Sequence, residues 1–364
     1  MIFVPIGHLK AGMILARDVY IDSNFVPFIS SCQELTDSAI EKLINNRIPG
    51  VYINTRAFSD ANSEELIDDE SKKEVIDGLK LIFQNAVKEK SISVSSANQA
   101  LEIALNIVLQ IITTDEHLFN IIDMKRYSEY IYTHALYVAV LSTLIGINLG
   151  LDNAELVELS TASLMQDIGN LFISEEILNK KSQLLPYEMD IIKTHTLLSV
   201  KRLRPCCAVS SKIISGVVSH HEHYDGTGYP NNLVGNDIPL FGRILALADV
   251  YDALTSDRPF RPAYSPNEAI EYMMTQSGSQ FDEELLKVFL HCVTAFPVGT
   301  IVQLSNDDVC VVIKNTSSFP LRPIIRSINS SDEKDNINLA QDRSYSNVTI
   351  KRSLSDDVVL PNLL

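Results

Sequence analysis

Clustered positive charge is what this 364-residue chain most clearly lacks: 30 Lys and Arg stand against 46 Asp and Glu, a net charge of -16. Nucleic-acid polymers are bound through clustered Lys and Arg, so the charge balance argues against nonspecific DNA or RNA binding; it does not exclude a small anion held in one local basic pocket. The five cysteines, Cys32, Cys206, Cys207, Cys292 and Cys310, show no CxxC spacing and leave one over. That argues against a disulfide framework and for reduced thiols in the cytoplasm. Met1-Ile2-Phe3-Val4-Pro5 has no basic stretch ahead of an apolar one, so no signal peptide is expected. The most apolar run, 135–151, contains Ser142, Thr143 and Asn148. It falls short of the roughly 20 predominantly apolar residues of a membrane span and is expected to be a core helix. No internal repeat is visible.

What remains is globular, with 46% hydrophobic and 21% charged residues, and long enough for two or three domains. Residues 1–58 alternate short apolar runs (Ile2-Phe3-Val4, Val51-Tyr52-Ile53) with one helical segment, 37–46, and read as a small α+β unit. Residues 59–114 begin acidic and continue as two helices, 72–88 and 97–112, with apolar residues three and four apart. From 115 to 296 the pattern is almost wholly helical, broken by Asp225-Gly226-Thr227-Gly228-Tyr229-Pro230. Residues 297–364 turn to short β-branched runs around Thr300-Ile301-Val302 and Val309-Cys310-Val311-Val312-Ile313, with a mobile loop expected at 327–336.

Polar residues on apolar helices point to chemistry. Asp249 interrupts Ile244-Leu245-Ala246-Leu247-Ala248-Asp249-Val250-Tyr251. A buried, unpaired carboxylate costs several kcal/mol, roughly, so it must be paired, hydrogen-bonded or metal-bound. Asp167 ends Leu164-Met165-Gln166-Asp167, His134 heads a face with Ala135, Val138 and Leu141, and His220-His221 ends a helix carrying Ile213, Ile214, Val217 and Val218. A single core histidine is ordinarily just hydrogen-bonded. His134, His195, His220 and His221 together with two aspartates match the mixed imidazole and carboxylate set favoured by borderline divalent metals.

These residues spell a family. Ser219-His220-His221-Glu222-His223-Tyr224-Asp225-Gly226-Thr227-Gly228-Tyr229-Pro230 closely resembles the GYP signature of HD-GYP domains. The stretch Ala248-Asp249-Val250-Tyr251-Asp252-Ala253-Leu254-Thr255-Ser256-Asp257-Arg258-Pro259-Phe260-Arg261 resembles their second signature. Ser279-Gln280-Phe281-Asp282 and Phe296-Pro297-Val298-Gly299-Thr300 look like their closing segments, and Leu9-Lys10-Ala11-Gly12-Met13 resembles a domain often placed ahead of them. The resemblance implies a mainly α fold: a helical HD-domain core with a GYP extension, flanked by the N-terminal α+β and C-terminal β-rich units. It implies hydrolysis of cyclic di-GMP with divalent transition metals, iron or manganese, one or two ions here. By motif the ligands fall on His134, Gln166, Asp167, His195, His220, His221 and Asp249, with Asp167 bridging two metals. Tyr229, Arg258 and Arg261 fall where cyclic di-GMP is contacted. A diguanylate cyclase or another signalling protein and a second copy of the chain are the implied protein partners; no receiver, GGDEF or other sensory domain is recognisable.

Three positions depart from the pattern. Gln166-Asp167 stands where the family has His-Asp, and the amide is a poorer transition-metal ligand than imidazole. The lysine expected three residues after the aspartate is Asn170, which removes a cation from the catalytic face. Four residues before His134 a trinuclear member places Glu, and here stands Tyr130. All three surround one metal position, so the expectation is a phosphodiesterase of reduced activity, with an inactive cyclic di-GMP receptor or protein-interaction module as the alternative.

Overall fold

The computed structural model describes all residues except 21–26, 47, 49, 62–64, 115–117, 121–129, 181, 257–262, 317 and 354–364. The chain divides into two compact units, one gathering Met1–Glu65 with Val293–Leu364, the other Leu66–Ile121 with Glu129–Cys292.

In the first unit, strands β1 (Ile2–Pro5) and β2 (Gly50–Ile53) pair antiparallel with Ile2 opposite Ile53. Helix α1 (Asp37–Asn45) lies between them in sequence and is capped by Thr36, whose hydroxyl accepts from the Ala39 amide at 3.2 Å. The last residues form a five-stranded antiparallel sheet. Its strands are β3 (Ile301–Leu304), β4 (Val309–Lys314), β5 (Ile324–Ser327), β6 (Ile337–Asn338) and β7 (Ile350–Ser353), in the order β6-β5-β4-β3-β7. Leu15, Leu43 and Phe58 from the beginning of the chain share a single core with Val298, Ile301 and Val311 from its end. Arg326, fully buried, ties the two segments by donating to the Ala57 carbonyl at 2.9 Å and pairing with Asp60. Two stretches far apart in sequence thus pool their side chains into one core.

The second unit is helical: α2 (Asp69–Glu89), α3 (Val94–Thr113), α4 (Tyr130–Asn148), α5 (Asn153–Met165), α6 (Glu175–Leu178), α7 (Pro186–Lys193), α8 (His195–Leu203), α9 (Ser211–Ser219), α10 (Leu240–Thr255), α11 (Pro266–Thr275) and α12 (Glu283–Cys292). The expected helices at 72–88 and 97–112 correspond to α2 and α3. Helix α4 is long and apolar enough to cross a membrane by length and composition alone, yet 133–146 are all buried inside the protein. It packs against α5, α10 and α12, so its all-round apolar surface meets protein on every side, as a core helix requires. Each large side chain buried there contributes about 1.5–3 kcal/mol. Helix α5 starts on a capping box: Asp152 accepts from the Glu155 amide at 2.9 Å while the Glu155 carboxylate receives the Asp152 amide at 3.4 Å. It delivers Gln166 and Asp167 at its C-terminal end.

Candidate metal centre

Asp167 opens a short 3-10 turn, Ile168–Phe172, that packs on α8. A Cβ at Gly169 would stand 2.0 Å from the His195 carbonyl oxygen, so only glycine lets the turn approach that closely. Ser199 locks the junction: its hydroxyl donates to the Gln166 carbonyl and accepts from the Gly169 amide, both at 2.8 Å. The Asp167 carboxylate is thereby set at the head of α8, facing His195.

Two groups of side chains meet here: His195 with His220 and His221, and His134 with Asp167 and Asp249. Asp167 serves both. Its Oδ1 lies 3.3 Å from His195 Nε2 and 3.9 Å from His220 Nε2, while its Oδ2 lies 3.5 Å from His134 Nε2. In the first group the Nδ1 of His195 meets the Ile192 carbonyl at 2.8 Å and that of His220 meets the Val217 carbonyl at 2.7 Å. A carbonyl can only accept, so each Nδ1 carries the proton and each Nε2 turns a lone pair into the site. Burial and the neighbouring His195 push the His220 imidazole down, and burial with His220 pushes His221 well below the usual histidine range. Both are therefore neutral, the form in which imidazole binds a metal.

The second group is held differently. His134 Nε2 lies 3.0 Å from Asp249 Oδ1 and its Nδ1 lies 2.7 Å from Asp252 Oδ2. Burial alone would push His134 down, but the hydrogen bonds with Asp249 and Asp252 outweigh it and raise the imidazole to about 10. Burial opposes ionisation of Asp249, yet His134 and His221 hold its carboxyl well below the usual carboxylate range. Tyr130 stacks on His134 with ring centroids 5.3 Å apart, and its hydroxyl donates to Asp252 at 3.3 Å. Gln166 is fully buried, with Nε2 3.3 Å from both His134 Nε2 and Asp249 Oδ1, while its Oε1 has no hydrogen-bond partner. A half-turn of the amide exchanges the two atoms and presents a neutral oxygen donor to the same position.

The Gly-rich loop closes one flank. A Cβ at Gly228 would stand 2.2 Å from the His223 nitrogen, and buried Glu222 accepts from the Asn231 and Leu233 amides at 2.7 and 3.0 Å. The loop so pinned lays the Tyr229 ring on His221, 4.8 Å between centroids at 27°. Burial, with Asp249 and Asp167 nearby, pushes the Tyr229 phenol up, keeping it neutral.

His134, Gln166, Asp167, His195, His220, His221, Asp249 and Tyr229 are thus brought together. Asn170 sits in the 3-10 turn with its side-chain oxygen buried and without a hydrogen-bond partner, and no hydrogen bond joins it to either group among the described residues. Arg258 and Arg261 lie outside the described residues. Asp252 was not singled out as a site residue from the sequence. Its signal was present: it lies three residues after Asp249, on the same face of an otherwise apolar helix.

The donor set fits a divalent transition metal: imidazole nitrogens with fixed tautomers, and one carboxylate turned to two groups. The family model for the HD domain matches residues 116–285. A cyclic di-GMP phosphodiesterase of Pseudomonas aeruginosa is 30% identical over 253 residues, 70% of this chain and 60% of that protein. The cyclic di-GMP phosphodiesterase PdeB of Borreliella burgdorferi is 27% identical over 238 residues, 65% of this chain and 62% of that protein. Residues 116–285 thus form an HD domain, and the chain is similar to cyclic di-GMP phosphodiesterases whose motifs it shares. It spans about three fifths of the length of these two relatives. The solved structure of an HDG"Y"P protein from Bdellovibrio bacteriovorus shares the fold at a TM-score of 0.52 and 16% identity, covering 79% of this chain and 97% of that one. The mainly helical HD architecture with small sheets at both ends of the sequence is as expected.

Proposed function

We propose that the HD domain hydrolyses a phosphodiester bond of cyclic di-GMP at a divalent-metal centre, and that Gln166, Asn170 and Tyr130 hold its turnover down. The observation that carries the reading is the Asp167 carboxylate, which turns one oxygen to each of two ligand groups. The names of the relatives support cyclic di-GMP as the substrate. A bound divalent metal supplies Lewis acidity toward a phosphoryl oxygen and a nucleophilic water at neutral pH. The chain's own residues orient and shield: His195 and His220 present fixed lone pairs, and Tyr229 covers His221 against bulk water. We assign phosphate contact to Tyr229, Arg258 and Arg261, since the arginine fork matches phosphate oxygens bidentately.

The ions in this reading are iron or manganese, one or two, with the tighter position at Asp167, His195, His220 and His221. On the other side Gln166 is a weaker donor than imidazole. Asn170 offers no cation, and losing a charged contact costs about 1.5–3 kcal/mol. Five cysteines without a disulfide support a cytoplasmic setting, where a diguanylate cyclase or another signalling protein is the fitting partner.

One observation favours a second reading, a cyclic di-GMP receptor without hydrolysis: the Gln166 amide nitrogen, a donor, lies against His134 and Asp249. Elemental analysis of anaerobically purified protein, paired with a hydrolysis assay in added Mn²⁺ or Fe²⁺, separates the two. Fewer than two tightly bound ions and slow hydrolysis are expected. Two ions surviving chelator washing, with brisk turnover, would overturn the reduced activity. Binding of cyclic di-GMP with no hydrolysis under any metal would establish the receptor.

A further inference from the structure

Lys193 closes α7, two residues ahead of His195. Its ammonium stands 5.5 Å from the centroid of the Tyr229 ring, the ring that also stacks on His221 and meets His195 edge-on at 6.4 Å. The cation is therefore one ring away from the imidazole group. Three lysines of the same unit are taken up by acids: Lys180 by Glu188 at 2.6 Å, Lys212 by Glu155 at 3.0 Å, Lys72 by Asp69 at 2.9 Å. Among the described residues the Lys193 ammonium makes no ion pair and no hydrogen bond. A half-buried cation with no acid paired to it among the described residues, in a chain of net charge -16, stands beside a site built around Asp167 and Asp249. The Tyr229 ring face holds it in place without neutralising it.

We infer that Lys193 is an anion-binding residue of this site, receiving one phosphodiester of a cyclic dinucleotide while the other lies at the imidazole groups. The inference rests on the proposed function above. A cyclic dinucleotide carries two phosphodiesters, so a ligand with one of them over the His195, His220 and His221 group has a second to be met beyond it. A dianion approaching two aspartates needs an offsetting charge, and Asn170 provides none. The lysine's flexible stem and point charge suit an oxygen whose position varies as the ligand settles. A phosphate contact would draw the ammonium off the ring face at no cost of a broken ion pair.

The test is calorimetric titration of cyclic di-GMP into the full chain as wild type, Lys193→Ala, Lys193→Met and Lys193→Arg, at low and high salt, with thermal melting to establish folding. Lys193→Ala and Lys193→Met should weaken binding about tenfold, as loss of a charge-assisted contact does, and Lys193→Arg should stay near wild type. The gap should narrow as salt rises, because a charge contact is screened and a packing contact is not. Wild-type binding with an indifferent Lys193→Ala, or a gap that salt leaves unchanged, would overturn the inference and leave the functional reading standing. A folded wild type that binds no cyclic di-GMP removes both.

Discussion

The two ligand groups that meet at Asp167 are built on opposite principles. At His195, His220 and His221 the polar atoms are aimed but unspent: two Nδ1 atoms are committed to backbone carbonyls, and the Nε2 atoms face inward. His195 Nε2 and His220 Nε2 stand 3.3 Å apart. At His134 the groups satisfy one another. The imidazole lies between Asp249 and Asp252, Tyr130 braces it, and Gln166 reaches both it and Asp249. A cluster that leaves lone pairs facing each other is stabilised by an ion, whereas one with internal charge balance must surrender its own contacts to accept one. The departures at Gln166 and Tyr130 fall on the self-satisfied side.

The largest effect should come from removing what the two groups share. Asp167→Asn is expected to lose both tightly bound metal and hydrolysis; metal retained at the wild-type level, measured by elemental analysis, would mean the groups do not depend on a common carboxylate. Next comes the asymmetry itself. His220→Ala should strip the tightly held ion, while His134→Ala should leave it in place, and equal losses in both would dissolve the comparison. Restoring the family residues should then sharpen it: Gln166→His with Asn170→Lys is expected to raise cyclic di-GMP hydrolysis at least tenfold, about 1.4 kcal/mol of barrier. No change in rate would count against Gln166 and Asn170 as limits on turnover. The smallest effect is expected from Asp252→Asn, which keeps shape and removes the charge behind His134. It should alter metal affinity on that side by roughly tenfold, the lower range for a residue behind a ligand, and leave the His220 side unchanged in the same metal titration.

Much of this was legible before any fold. Asp249 stands out because an apolar helix does not carry a carboxylate without a partner, and His220-His221 because two adjacent imidazoles end a helix just before a Gly-rich loop. The helices read at 72–88 and 97–112 follow from three-to-four spacing, and α2 and α3 contain them. Asp252 has a local signal, its place one turn after Asp249 on an apolar helix, but its partner, His134, lies 118 residues away, and residue spacing does not name that partner. Lys193 carries no signal of its own in the sequence: a cation in the last turn of a helix is ordinary there, since it suits the helix dipole.

By itself the sequence determined which residues are unable to sit in a core unpaired, where the helices run, and which family's motifs they form, because period, capping and burial cost are local properties of the chain. Tertiary structure alone decided who meets whom. It brought α4, α5, α8, α9 and α10 together around one carboxylate, split that carboxylate's two oxygens between unlike groups, and set Lys193 beside Tyr229 with no acid paired to it among the described residues. It also drew Leu43 and Val311 into one core across most of the chain's length. Such pairings depend on packing between elements remote in sequence, and residue spacing carries no record of them.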